Sequence, residues 1–316
     1  VKAERSTVAL KMDEEREVNL SGRSVLDLLS LEDPREVTTE VKAALLLSAL
    51  LEPAATVKSF YNEYWGKKPL LAHRQSKSFL KGLMSKRSVV EMLEDSVVYL
   101  GEDIEDFTNK LGETEGHYDH TINSSRNSED GGVEMTSTNI WKRYKKGATL
   151  RLLQPQKHLD LLWNFLASLE FEFCSRVGCH ADIIPPASAG WGKILMDTSD
   201  SFVVQMQGSS LWRLYARKKD QVHSSQSSFI SSSARTQEEA LTLALPVDNF
   251  VSAVLAEVPY VETRLHAGDS LYIPKGWGFS FRGCGETGEG DTTRSSEGKK
   301  EGKLANANMH MRLFTN

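Results

Sequence analysis

Two short patterns in the chain have the residue types and spacing of metal chemistry, His117-Tyr118-Asp119 and His180-Ala181-Asp182. A histidine and a carboxylate two residues apart share one face of a strand. A second histidine from elsewhere completes the two-histidine, one-carboxylate set that holds Fe(II) with positions left open. His266 and His310 are the later histidines that could complete it. Each residue also has a plainer reading. Three-residue patterns recur by chance, and the first triplet, followed by His120, lies in an acidic stretch that reads as a solvated loop. His180 reads as a hydrogen-bonded histidine lining a pocket, and His266 as an exposed residue before the Ala267-Gly268-Asp269 turn. His310, between Met309 and Met311, reads as a histidine of the core or of a sheet face.

Residues 194–215, ILMDTSDSFVVQMQGSSLWRLY, pose the opposite puzzle. They read as a strand pair, Phe202-Val-Val-Gln and Leu211-Trp-Arg-Leu-Tyr, about a Gly208-Ser-Ser turn. Asp197 and Asp200, with Thr198 and Ser199 between them, precede the first strand and mark either a polar pocket or a turn entering it. No histidine accompanies them. A second kind of chemistry is suggested by Trp141-Lys142-Arg143-Tyr144-Lys145-Lys146 with Arg151, where aromatics and cations interleave as they do on RNA-contacting surfaces. Lys67-Lys68 would extend that patch, and the competing reading is a solvated surface element. No Ser-His-Asp order, phosphate loop or carboxylate pair rises above chance.

The elements that must position these residues change character along the chain. Residues 1–23 are polar, and 24–51 carry leucines at helical spacing broken by Asp33-Pro34. A short amphipathic helix from Val57 is closed by Gly66 and followed by an apolar strand after Pro69. Residues 156–173 have a helical period. From Ala181 onward the pattern turns to short β-branched and aromatic runs, ending in a strand over 307–314. Loops are expected at 113–132, 224–233 and 283–303. A chain of 316 residues with 40% hydrophobic and 26% charged residues suits a globular protein. The net charge of -5 leaves room only for a local RNA contact. Three cysteines without a CxxC pair argue against a disulfide framework and for a reducing compartment. The apolar run at 41–51 is too short to span a membrane.

Five segments in order then resemble the JmjC-type ribosomal oxygenases, iron- and 2-oxoglutarate-dependent protein hydroxylases built on a cupin jelly roll. They are FYNEYWGKKPLL (60–71), GATLRLLQPQ (147–156), Val177-Gly178 with Pro185-Pro186, FVVQMQG (202–208) with LWRLY (211–215), and GDSLYIPKG (268–276). The resemblance covers about residues 50–316. It implies an α+β chain: a helical N-terminal region (1–56) and a double-stranded β-helix (57–316) with insertions near 113–132 and 283–303. It also places the family's iron ligands. The first histidine position falls on Leu195, the carboxylate on Asp197 and the second histidine position on Phe279. A one-residue shift would put Ile194 in place of Leu195, and the lysine that pairs with 2-oxoglutarate falls on Ser210.

A lone carboxylate cannot hold Fe(II) against water. The resulting expectation is a catalytically inactive protein, a structural or assembly component of a ribosomal or other ribonucleoprotein complex. On that expectation it has no cofactor, its partners are other protein subunits, and RNA contact runs through residues 141–146 and Arg151. The expected compartment is intracellular: the mitochondrion and its ribosome biogenesis first, the nucleolus or cytoplasm otherwise. The alternative is a hydroxylase of ribosomal proteins whose ligands have moved to His180, Asp182 or Asp197 and a late histidine. A third reading is a cupin binding a small molecule in a pocket made apolar by Leu195 and Phe279. The family's dimerisation region and winged-helix domain have no counterpart before Asn316, so its homodimer is not expected.

Overall fold

The computed structural model describes residues 24–30, 38–77, 79–96, 98–106, 133–185, 194–216, 260–284 and 307–315. The triplet His117–Asp119 with His120, the loop 224–233, the Asp33-Pro34 break and most of the insertions at 113–132 and 283–303 lie outside the described residues.

Helices α1 (Val25–Leu29) and α2 (Thr39–Leu51) begin at Ser24 and Thr38, whose hydroxyls accept from the backbone amides of Asp27 and Val41. Helix α3 (Val57–Ser59) runs into a π-turn over Phe60–Tyr64, and Gly66, at φ 65, takes the left-handed turn after it. Two further helices, α4 (Lys86–Asp95) and α5 (Ser137–Lys145), start at the caps Ser85 and Thr136. The next, α6 (Asp160–Phe173), follows a 3-10 turn at Pro155–Lys157, so the helical period at 156–173 belongs to two elements.

The strands of the described residues make two sheets. In chain order they are β1 (Leu70–Ala72), β2 (Val98–Leu100), β3 (Ile104–Asp106), β4 (Val133–Met135), β5 (Leu150–Leu153), β6 (Val177–Ile184), β7 (Leu195–Met196), β8 (Ser201–Gln207), β9 (Ser209–Tyr215), β10 (Val261–His266), β11 (Ser270–Ile273), β12 (Gly278–Gly283) and β13 (Asn308–Thr315). The larger sheet runs β1-β11-β8-β13-β6-β5-β3-β2-β4 and the smaller β10-β9-β12-β7. This is a cupin double-stranded β-helix with helices on one side, as the sequence pattern implied.

The strands β8 and β9, expected to pair about Gly208, do not pair with each other. Instead β8 lies between β11 and β13, whereas β9 lies between β10 and β12. The turn at Gly208 is a corner at which the chain leaves one sheet for the other. Its φ of 67 suits glycine, and a Cβ there would collide with the Asn308 side chain.

The large sheet is covered on both faces. On β13, Met309, Met311 and Leu313 face outward into the cores under the helices, where α1, α2 and α6 meet Phe202, Met311 and Leu313, and α4 and α5 meet Leu152, Ile183 and Met309. The N-terminal helices thus share a core with α6. The inward face meets the smaller sheet around Val203, Trp212, Leu214, Leu271, Phe279 and Phe281.

Candidate functional site

The residues that the sequence resemblance assigns to the family's ligand positions, Leu195, Asp197 and Phe279, lie together in one corner of the jelly roll. Leu195 and Phe279 are cross-strand partners in the β7–β12 ladder, so the two residues assigned to histidine positions stand directly opposite each other. The Asp197 carbonyl accepts from the Gly276 amide, which fastens the strand end to the Pro-Lys-Gly turn. Leu195 packs against the inner core and Phe279 is fully buried, in contact with Trp212.

The corner contains a cation of its own. From β13 in the opposite sheet, Arg312 Nη1 lies 3.0 Å from Asp197 Oδ2, and its guanidinium sits 5.1 Å from the centroid of the Phe279 ring. Its other arm reaches His180 Nδ1 at 3.4 Å. Asp197 also accepts from the Ser201 hydroxyl at 3.2 Å. The position where the family's lysine would meet 2-oxoglutarate is internal too. The Ser210 hydroxyl is fully buried, donating to Gln205 Oε1 at 2.6 Å and accepting from Trp212 Nε1 at 2.8 Å.

These residues do not fit the family's iron and 2-oxoglutarate at this corner. Leu195 and Phe279 have no lone pairs, the Asp197 carboxylate is shared between a cation and a hydroxyl, and Ser210 carries no charge.

Beside the corner lies a polar belt whose members the sequence divides between two roles. Arg151 falls with the RNA-contacting cations in the sequence, yet it is buried and grips Asp182 with both arms, Nε to Oδ1 at 2.7 Å and Nη2 to Oδ2 at 3.0 Å. His310 Nε2 lies 3.0 Å from Asp182 Oδ2, and His310 is fully buried among Trp212 and Phe281. The fold therefore does bring His180, Asp182 and His310 together on neighbouring strands. Both carboxylate oxygens of Asp182 are already engaged, however. Among the described residues, no group of three or more His, Cys, Asp and Glu is arranged to hold a metal ion.

Burial by itself would raise the Asp182 carboxyl, but Arg151 and His310 outweigh it and hold it well below the usual carboxylate range. Burial, then the charges of Arg312 and Arg151, push His180 down to about 4. Burial also lowers His310, against the pull of Asp182. Both histidines are more acidic in the fold than in the unfolded chain. Their contribution to stability is complete above the unfolded value of about 6.5 and is lost as the pH falls toward the folded values. The urea midpoint at about pH 5 should therefore lie below that at about pH 7.5, and His180→Asn should flatten the difference.

Of the remaining cationic patch, Trp141 and Tyr144 are core residues on the inward face of α5, in edge contact with one another. They are not available for stacking on bases. Lys142, Lys145 and Lys146 are exposed and Arg143 is half-buried, forming a basic end to the helix. Asp200 accepts from the Lys275 amide and the Tyr272 hydroxyl, so it serves the turn into β8.

The jelly roll with its converging corner is a JmjC domain, and the JmjC family model matches residues 151–289. Residues 151–289 thus carry a JmjC domain, and the chain is similar to ribosomal oxygenases. It is 29% identical over 254 residues to ribosomal oxygenase 1 of Danio rerio, covering 80% of this chain and 40% of that protein. It is 28% identical over 270 residues to the bifunctional lysine-specific demethylase and histidyl-hydroxylase NO66 of Dictyostelium discoideum, covering 85% of this chain and 45% of that one. The chain thus spans less than half the length of these relatives. Among solved structures it is similar to the Escherichia coli ribosomal oxygenase YcfD in complex with cobalt and 2-oxoglutarate, at 16% identity and a TM-score of 0.40, covering 82% of this chain and 51% of that one.

These relatives correct the expectation that no cofactor belongs to this protein. They are named as oxygenases and hydroxylases, activities that the expectation of a cofactor-free protein does not accommodate. Leu195, Phe279 and Ser210 describe one corner of the jelly roll, and they do not extend to the protein as a whole.

Proposed function

We propose that this chain is a JmjC module of the ribosomal-oxygenase type that works by binding a polypeptide of a ribosomal or related ribonucleoprotein assembly, with no hydroxylation run from the Leu195–Asp197–Phe279 corner. The observation that carries this reading is the corner itself, where a leucine and a phenylalanine face each other and Arg312 holds the carboxylate. Binding through such a shell needs only its surface, and that surface includes the basic end of α5. There Lys142, Lys145 and Lys146 offer charge to an RNA backbone within the same assembly.

The second reading, a hydroxylase of ribosomal proteins with ligands elsewhere in the protein, is favoured by the names of the relatives. Cosedimentation with ribosomal particles, followed by mass spectrometry of the bound proteins, tests the two together. The expected result is association that does not require added 2-oxoglutarate. A hydroxyl gained only in the presence of 2-oxoglutarate would carry the second reading instead. Reversing Lys142, Lys145 and Lys146 to glutamate should weaken the association and flatten its salt dependence, the slope falling by about 0.9 for each phosphate no longer neutralised. The same triple variant should lower the melting temperature only slightly, since none of these three side chains is buried and the cost is that of acidic residues at a helix C-terminus.

A further inference from the structure

Arg312 comes from the strand across the jelly roll, yet it touches two of the three former ligand positions at once, Asp197 through a 3.0 Å ion pair and Phe279 through its ring face. Another arm of the guanidinium reaches the His180 imidazole. The Arg312 side chain is 7% exposed and that of Asp197 is 23% exposed, so the pair lies inside the protein with the carboxylate as its more accessible member. The Nε of Arg312 is buried and finds no hydrogen-bond partner among the described residues. The fork is therefore held here chiefly by charge and by the ring beneath it, not by a full set of acceptors.

The guanidinium is the buried charge here and needs the carboxylate, because an unpaired buried charge is strongly destabilising, and the half-buried carboxylate gains a positive partner in return. In a metal site the ion supplies that charge. We propose that in this chain Arg312 is the resident counter-ion of the corner, a tethered cation that Asp197 already carries and that any divalent ion entering the corner has to displace. This rests on the assignment of Leu195, Asp197 and Phe279 as the former ligand positions. It goes beyond the functional reading by naming a single residue that sets the cation affinity of the site.

Two features of the sequence fit this role together. Phe279, in place of a metal-binding imidazole, offers a ring face to a guanidinium, which a ligand histidine turned toward an ion would not. Arg312 lies two residues beyond His310 on β13, so both point into the jelly roll, and the cation enters from the sheet opposite the one that carries the former histidine positions.

Two measurements test it, one without metal. In a double-mutant cycle on urea stability, Asp197→Asn and Arg312→Gln should each destabilise the protein, and the double variant should be less destabilised than the sum of the two, because neither charge is then left alone. Additive effects would overturn the proposal. In the second measurement, Mn(II) is titrated into Leu195→His/Phe279→His and into the same protein with Arg312→Gln, with free Mn(II) followed by electron paramagnetic resonance. Removing the resident cation should tighten Mn(II) binding by roughly tenfold or more. Arg312→Lys in the same background, which keeps the charge, should bind like the double variant. Equal affinity across the three would overturn the proposal, and the cycle remains decisive should a histidine-bearing variant not fold. Neither result depends on whether the protein binds ribosomal particles, so this proposal and the functional reading fail separately.

Discussion

Trp212→Ala is expected to destabilise the protein by about 3–5 kcal/mol, the cost of emptying a buried aromatic site. Trp212 is completely buried in the inner core, stacked on Phe281, in contact with Phe279 and edge-on to His310. Its indole also donates to Ser210, so the truncation leaves the Ser210–Gln205 pair one hydrogen bond short. Chemical denaturation measures the loss directly. The contrast is with Leu195→Ala, a half-buried side chain at the sheet edge, which should cost well under half as much. Should the two variants lose similar stability, the interior would not be the closed core described.

The second large effect concerns Arg151. If it belonged to a surface patch, Arg151→Ala would change stability by no more than about 0.5 kcal/mol. In the structure it is the bidentate partner of a buried carboxylate, and its removal leaves Asp182, among the described residues, with the imidazole of His310 as its hydrogen-bond partner. The expected loss is about 3–5 kcal/mol, the range for a buried ion pair broken on one side. Arg151→Met combined with Asp182→Leu should recover much of that loss, because an apolar pair of similar volume avoids the desolvation of two charges. A neutral Arg151→Ala would return this residue to the surface.

These two residues also mark what is and is not legible in the sequence. Short alternating strands, glycine turns and the order of the five segments are enough to identify the jelly roll, whereas the ladder that pairs Leu195 with Phe279 is seen only in the structure. The expected pairing of β8 with β9 fails because Gly208 with small neighbours looks the same whether the chain turns back on itself or crosses a corner. Arg312 is legible only in part. Met309-His310-Met311-Arg312-Leu313 alternates, which puts His310 and Arg312 on one face and the apolar residues on the other. Such alternation usually sends the polar face to solvent, but β13 is a central strand covered on both sides, so its polar face is internal. Arg151 hides for the same reason. It follows the cations and aromatics of α5 by only a few residues, yet the chain passes from α5 into β5 between them, and the inward face of that strand points at Asp182.

The central claim is that Asp197 is held by an internal guanidinium and flanked by hydrocarbon where the family's relatives would be expected to place ligands. A crystal structure of the chain grown with Mn(II) and 2-oxoglutarate tests it most directly, through the atoms within reach of the Asp197 carboxylate. The account predicts Arg312 Nη1 at hydrogen-bond distance from that carboxylate, with Leu195 and Phe279 paired beside it. A metal ion at about 2.0–2.2 Å from Asp197, completed by two nitrogen ligands, would contradict it.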